Sequence, residues 1–395
     1  MANLFYAWEF GAGLGHIGAF LPLARALRAR GHALHCAVAS PPAAARLLDR
    51  EGFTWLQAPT FPEQRGQHPP LSYADILLRF GYAHPADLLG LTVAWRELLR
   101  LTDARAVLAD HAPTALLAAR TLGLPAILYS SGFCIPPPCA PTPAMRSWQP
   151  APDEQLQKIE AAVLDVINRV LAHFARPPLD ALWRLFQVEE DTLLGFPELD
   201  HYPERGPARY WGNLPDAGVG AAPAWPAVPG RRLFAYLRRE CRHHEAALAA
   251  LRELGLPAIV FFPDAPDELL KRHAAPHLAF SRAPLDLAII AAQADAAVTY
   301  ASLSTTTRFL LAGKPVLLLP WHLEQFMMAR RVAGIGAGIL IDPQQPATGL
   351  ADTVRRLLDE SAFAANARAF ARKYAAFPQE VVVANLARRI EEIVP

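Results

Sequence analysis

This chain lacks an excess of charge of either sign: 38 Lys and Arg stand against 37 Asp and Glu in 395 residues, a net charge of +1. A nucleic-acid partner usually needs a strongly basic face, so that class is excluded. Cysteine is scarce as well. The four present, Cys36, Cys134, Cys139 and Cys241, form no C-x-x-C pair and no ligand-like group with histidine. Their pattern speaks against a disulfide framework and a metal site, and for reduced thiols in a cytoplasmic protein. No apolar run reaches about 18 residues, which excludes a membrane-spanning helix and leaves peripheral membrane contact open. Nor is a secretory signal expected at the start, because residues 4–8 already read as a strand.

Apolar residues and proline are what the chain has in plenty. A hydrophobic content of 52% supports large buried sheets, and the length calls for two domains of roughly 150–200 residues each. The 37 prolines cluster in connecting segments. In the first half, strand-like runs (4–8, 33–39, 106–109, 126–129) alternate with helical ones (from His16, 42–50, 113–122). Two long irregular stretches, 60–72 and 132–150, interrupt them as candidate recognition loops. Residues from about 152 to 188 read as helical, with Leu156, Ile159, Val163, Ile167 and Leu171 on one stripe. The alternation restarts with strands at 233–237, 258–262, 296–299 and 316–319 and helices at 243–254, 285–292, 302–312 and 322–332. The fold class is therefore α/β: two doubly wound, mostly parallel domains separated by a cleft. We place the first domain at 1–215, an Ala/Gly/Pro-rich linker at 216–230, the second domain at 231–378, and a C-terminal amphipathic helix at 379–395 that could cross back to the first.

Two segments carry chemistry. In GAGLGHIGAFLPLARAL, residues 11–27, a glycine-rich turn with Gly13 and Gly15 leads into a helix whose first turn holds His16. Ligands of open α/β sheets bind outside the carboxyl ends of the strands, so an imidazole there can act as a general base; a local helix-entry role is the equal alternative. The second segment is residues 295–338. A strand ends at Thr299, and Ser302, Ser304, Thr305 and Thr306 open the next helix. Hydroxyls and unpaired N–H groups at a helix start bind phosphate, although Ser and Thr also serve there as plain caps. After the next strand come Glu324 and Gln325, a carboxylate beside an amide, suited to sugar hydroxyls or to a solvated first turn.

Together these segments resemble the family-1 nucleotide-sugar glycosyltransferases, of UDP-glucuronosyl and macrolide type, which have the GT-B fold. The resemblance rests on G-x-G-H-I-x-x-x-L-P-L-A-x-A-L at 13–27, on Y-A-S-L-S-T at 300–305 where the family has H-G-G-x-G-T, on AGKPVLLLP at 312–320, and on E-Q at 324–325 where the family has D-Q. It implies an acceptor-binding first domain, a donor-binding second domain, and inverting transfer of a sugar from a nucleoside diphosphate, UDP or dTDP type, to a hydroxyl of a small-molecule or lipid acceptor. His16 matches the family's base and Asp110 its orienting carboxylate. His111 is a less well-matched base, and Asp110 read alone could simply cap the helix after it. No metal and no bound cofactor are implied.

The departures fall on the donor side. Tyr300 replaces a phosphate-contacting histidine, and Ala301 and Ser302 replace two glycines, while Ser302, Ser304 and Thr305 can supply hydroxyls. Glu324 reaches one methylene further than the family's aspartate. The family's base-stacking tryptophan segment is SRAPLD at 281–286, where Arg282 could stack instead or lie in solvent. Arg238 and Arg239 follow the first strand of the second half as candidate phosphate partners or solvated cations. Two rivals stand beside transfer: a binding protein without turnover, motivated by the altered 300–305 segment, and a nucleotide-sugar epimerase.

Overall fold

The computed structural model describes residues 1–11, 15–64, 66, 68–149, 151–213, 220–377 and 379–394; Gly13 lies outside the described residues. The chain divides into two compact units, one of Met1–Ala217 with Gln379–Pro395 and one of Gly218–Pro378.

The first unit runs β1 (Asn3–Trp8), α1 (Gly15–Ala29), β2 (Ala33–Val38), α2 (Pro41–Glu51), β3 (Thr54–Gln57), α3 (Tyr73–Arg79), α4 (Pro85–Leu101), β4 (Ala106–Asp110), α5 (Pro113–Leu122), β5 (Ala126–Ser131), α6 (Asp153–His173) and β6 (Glu190–Leu194). Its sheet has the order β3-β2-β1-β4-β5-β6, with every pair parallel. A parallel sheet covered on both faces needs strands that are apolar on both sides. β1 meets this: Leu4 through Trp8 are all fully buried. Punctuation sets the helix ends. Prolines start α2, α4 and α5, and left-handed Gly52 and Gly123 close α2 and α5.

The second unit runs β7 (Leu233–Tyr236), α7 (His244–Leu254), β8 (Ala258–Phe261), α8 (Asp267–His273), β9 (Leu278–Ser281), α9 (Leu287–Gln293), β10 (Ala296–Thr299), α10 (Leu303–Leu311), β11 (Val316–Leu318), α11 (Leu323–Gly334), β12 (Gly338–Leu340), α12 (Leu350–Asp359) and α13 (Ser361–Lys373). Its sheet order is β12-β11-β10-β7-β8-β9, again all parallel. Counted from each unit's own first strand, both sheets read 3-2-1-4-5-6, the doubly wound order with its switch point between strands 1 and 4. Of the stretch read as a linker, Ala221 pairs with the 284–286 segment: its N–H donates to the Pro284 carbonyl, and Asp286 N–H donates back to Ala221.

The last helix, α14 (Gln379–Ile393), packs on α1. It buries Val382, Leu386, Ala387 and Ile390. Arg389 Nε donates to Glu190 Oε2 at 2.7 Å, and Glu391 receives Arg30 at 2.8 Å.

The structure corrects the helix read over 152–188. α6 stops at His173, and Pro177 and Pro178 hold the chain extended before a short turn at Leu182–Phe186 and the strand β6. Strands β3, β6, β9 and β12 are not among those read from the sequence. All four are edge strands of three to five residues, too short for a periodic signal.

One buried ion pair ties the segments after β5 and β6. Arg205 Nε donates to Asp200 Oδ2 at 2.6 Å, and its Nη2 reaches the carbonyls of Gly132 and Ile135 at 3.0 and 2.7 Å. A Cβ at Gly132 would lie 2.7 Å from Asp200 Oδ1, so the approach needs glycine. Burial pushes the Asp200 pKa up, but Arg205 and donors from Tyr210 and Tyr202 outweigh it, and the net direction is down. Removing one partner strands a buried charge. Asp200→Asn is therefore expected to cost about 3–5 kcal/mol in urea unfolding. The pair's own contribution should be present above the ordinary carboxylate value and be lost as pH falls below it, through the depressed pKa of folded Asp200.

Candidate active site

The carboxyl ends of β1, β4 and β5 converge on one side chain. Asp110, the last residue of β4, is 3% exposed. Its Oδ2 receives Tyr6 Oη at 2.8 Å and lies 2.9 Å from His16 Nδ1, while Oδ1 receives Ser130 Oγ at 2.9 Å. Burial, then the Asp110 charge, pushes the Tyr6 phenol well above its ordinary value, so Tyr6 stays a donor. Helix α1 delivers His16 and is itself pinned: Phe20 stacks on Tyr6 with centroids 3.8 Å apart, and Tyr129 Oη donates to the Ala19 carbonyl at 2.7 Å.

A carboxylate only accepts, so the hydrogen lies on His16 Nδ1 and Nε2 is left as the basic nitrogen. The ring stacks on Trp8, whose indole is fixed by a 2.6 Å bond to the Phe10 carbonyl. At 23% side-chain exposure it is open enough to meet a substrate. Gly11 sits against Nε2: its φ is +95°, and a Cβ there would fall 2.9 Å from that atom. His111 follows Asp110 with a left-handed φ of +47°, its ring among Phe10, Tyr73 and Phe133 and 6.5 Å from His16. The structure thus brings His16 and Asp110 together and adds Tyr6, Ser130, Trp8 and Gly11. Sequence reasoning did not single out Tyr6 or Ser130, and only a hydroxyl inside an apolar strand marks either one. Gly15 begins α1 with open space around it.

In the second unit the candidates gather at the equivalent strand ends. Ser302 caps α10 in extended conformation, without a side-chain capping bond. Ala301 before it is fully buried at φ +65°, and its N–H donates to Thr299 Oγ1 at 3.1 Å. The backbone therefore keeps a glycine-like shape at Ala301 although the residue is not glycine. Thr305 is buried and Ser304 exposed. Tyr300 packs edge-on against Tyr236, centroids 4.7 Å apart, and burial followed by that phenol pushes its pKa well up. Arg238 pairs with Glu240 and Asp264 at 3.5 and 3.7 Å. Arg282 is held by the Ala265 carbonyl and the Asp267 carboxylate. Glu324 lies 3.8 Å from His322 Nδ1. Gln325 is 4% exposed, and its Oε1 receives Trp321 N–H at 3.1 Å, so part of that amide fixes the loop before α11. No group of three metal-ligating side chains stands together among the described residues.

Solved structures share this architecture along the whole chain. The calicheamicin glycosyltransferase CalG4 superposes with a TM-score of 0.72 at 19% identity, covering 100% of this chain and 99% of that one. The fold is GT-B. Spinosyn rhamnosyltransferase SpnG complexed with spinosyn aglycone matches this GT-B chain with a TM-score of 0.70 and 22% identity over 99% of this chain and 100% of its own. Streptomyces sp. SF2575 glycosyltransferase SsfS6, complexed with thymidine diphosphate, gives 0.64 and 20% over 99% and 100%. No protein-family model and no curated protein sequence matches the chain.

Gly11→Ala combines a left-handed φ with a close approach. The variant is expected to lose about 1–2 kcal/mol in urea unfolding and to push the His16 ring off Asp110, read as a shift of the His16 ring signals in NMR spectra.

Proposed function

We propose that the protein is an inverting glycosyltransferase that moves a sugar from a nucleoside-diphosphate donor, UDP or dTDP type, to a hydroxyl of a small-molecule acceptor without a metal. The Asp110-centred network around His16 is the observation that carries this. His16 Nε2 takes the acceptor proton as the acceptor oxygen bonds to the anomeric carbon, and the bond from that carbon to the diphosphate breaks on the opposite face. Asp110 keeps Nδ1 protonated and stabilises the imidazolium that forms. The first unit binds the acceptor and the second the donor. The departing diphosphate settles on the N-terminus of α10 with Ser302, Ser304 and Thr305, and Arg238 and Tyr300 flank it; Glu324 and Gln325 read the sugar. Two neighbours favour these ligand classes, since SsfS6 was solved with thymidine diphosphate and SpnG with an aglycone. Of the acceptor classes, we favour the small molecule over the lipid.

A second reading, binding without turnover, draws on the altered 300–305 segment, where Tyr300 stands in place of the family's histidine and packs edge-on against Tyr236. Calorimetry with TDP and UDP, followed by TDP-glucose with a panel of nitrophenols, separates the two. Transfer is expected in the wild type; nucleotide binding without any product would favour the second reading. His16→Ala should lower kcat by about 10²–10⁴ while TDP affinity stays within about twofold. An unchanged kcat would remove His16 as the base.

A further inference from the structure

Directly after β1, Glu9 is a carboxyl that the chemistry above does not use. It is 3% exposed. Its Oε2 accepts Thr114 N–H at 2.9 Å, in the first turn of α5. The residue in the N-cap position of that helix is Ala112, which offers no capping side chain. Glu9 therefore caps α5 from the segment after β1 and satisfies a donor that the helix leaves orphaned. Its neighbour Phe10 completes a clasp, its N–H donating to the His111 carbonyl at 3.0 Å. Between these two bonds lies the turn that begins at Asp110 and contains the left-handed His111. Such a conformation costs about 1–2 kcal/mol in a non-glycine residue and persists only where its surroundings over-determine it.

We infer that Glu9 is a positioning residue: by capping α5 it holds the turn that carries Asp110, and so keeps the Asp110 carboxylate in register with His16. The inference rests on the transferase reading. Two further facts agree with it. Glu9 Oε1 is buried without a hydrogen-bond partner. Burial, opposed by hydrogen bonds from Thr114 and Ala115, lifts the Glu9 pKa to about 8. At neutral pH the residue is thus an uncharged acid that caps α5 through Thr114 without adding a buried charge. The buried phenols of Tyr73 on α3 and Tyr82 in the turn after it lie within electrostatic reach of Glu9, and the His111 ring stands 6.0 Å from that of Tyr73.

The test compares full-length wild type with Glu9→Gln, which keeps an acceptor oxygen at the cap, and Glu9→Ala, which removes it. With TDP-glucose and a nitrophenol acceptor, Glu9→Ala is expected to lower kcat about 10–100-fold with donor KM within about twofold, and Glu9→Gln to restore it. Amide exchange at Thr114 and Phe10 should quicken at least about tenfold in Glu9→Ala alone. Thermal unfolding adds a readout of protonation. A carboxyl raised from 4.5 to about 8 contributes stability that is full below 4.5 and lost as pH rises toward 8; Glu9→Gln should flatten that slope. Should Glu9→Ala fail to fold, Glu9→Asp, one methylene shorter, carries the same expectation. Faster exchange with an unchanged kcat, or a Glu9→Gln variant as slow as Glu9→Ala, would overturn the inference. A wild type with no transfer would instead overturn the transferase reading, while the exchange measurement still judges the clasp.

Discussion

The arrangement around Asp110 depends on the parallel register of β1 against β4. That ladder sets Trp8 opposite Asp110 and Tyr6 opposite Leu108. Side chains alternate faces along a strand, so a slip of one residue would turn Asp110 to the other face of the sheet. In the observed register its two oxygens reach hydroxyls on the strands either side, Tyr6 of β1 and Ser130 of β5, and still meet the ring delivered by α1. The pieces come from positions 6, 16, 110 and 130. No local segment could assemble them; the strand order 2-1-4-5 does, by placing β1 and β5 on the two flanks of β4.

The same order recurs in the second unit and accounts for the position of the donor-side candidates. β7 and β10 are neighbours at its switch point, and the loops after them carry Arg238 and Tyr300. The side chains there depart from the pattern the chain resembles: Tyr300 stands where that pattern has histidine, and Ala301 and Ser302 where it has glycine. The backbone at Ala301 has a positive φ, and the ring of Tyr300 packs on that of Tyr236.

Much of this was legible in the sequence, and the reasons are specific. The fold class could be read because buried parallel strands such as 4–8 are continuous apolar runs, and proline and glycine mark the helix ends. The place of His16 in the first turn of α1 could be read because strand, glycines and helical pattern follow one another in one short stretch. Tyr6 and Ser130 could not, because their role exists only once β4 lies between their strands. Glu9 was hidden for a related reason: its partner, the Thr114 N–H, is a backbone group that leaves no mark on composition or spacing. The helical pattern over 152–188 misleads because its amphipathic stripe runs on to Pro177 and Pro178, where the backbone cannot stay helical.

The docking of α14 on α1 makes the first unit discontinuous along the chain. Val382, Leu386, Ala387 and Ile390 are buried on a helix that follows the whole second unit in sequence, yet it packs on the helix that follows β1. Cutting the chain between the two units would therefore strip the apolar face of α1 of its cover and leave it in water. The boundary seen in the sequence is thus not a line along which the halves can be parted.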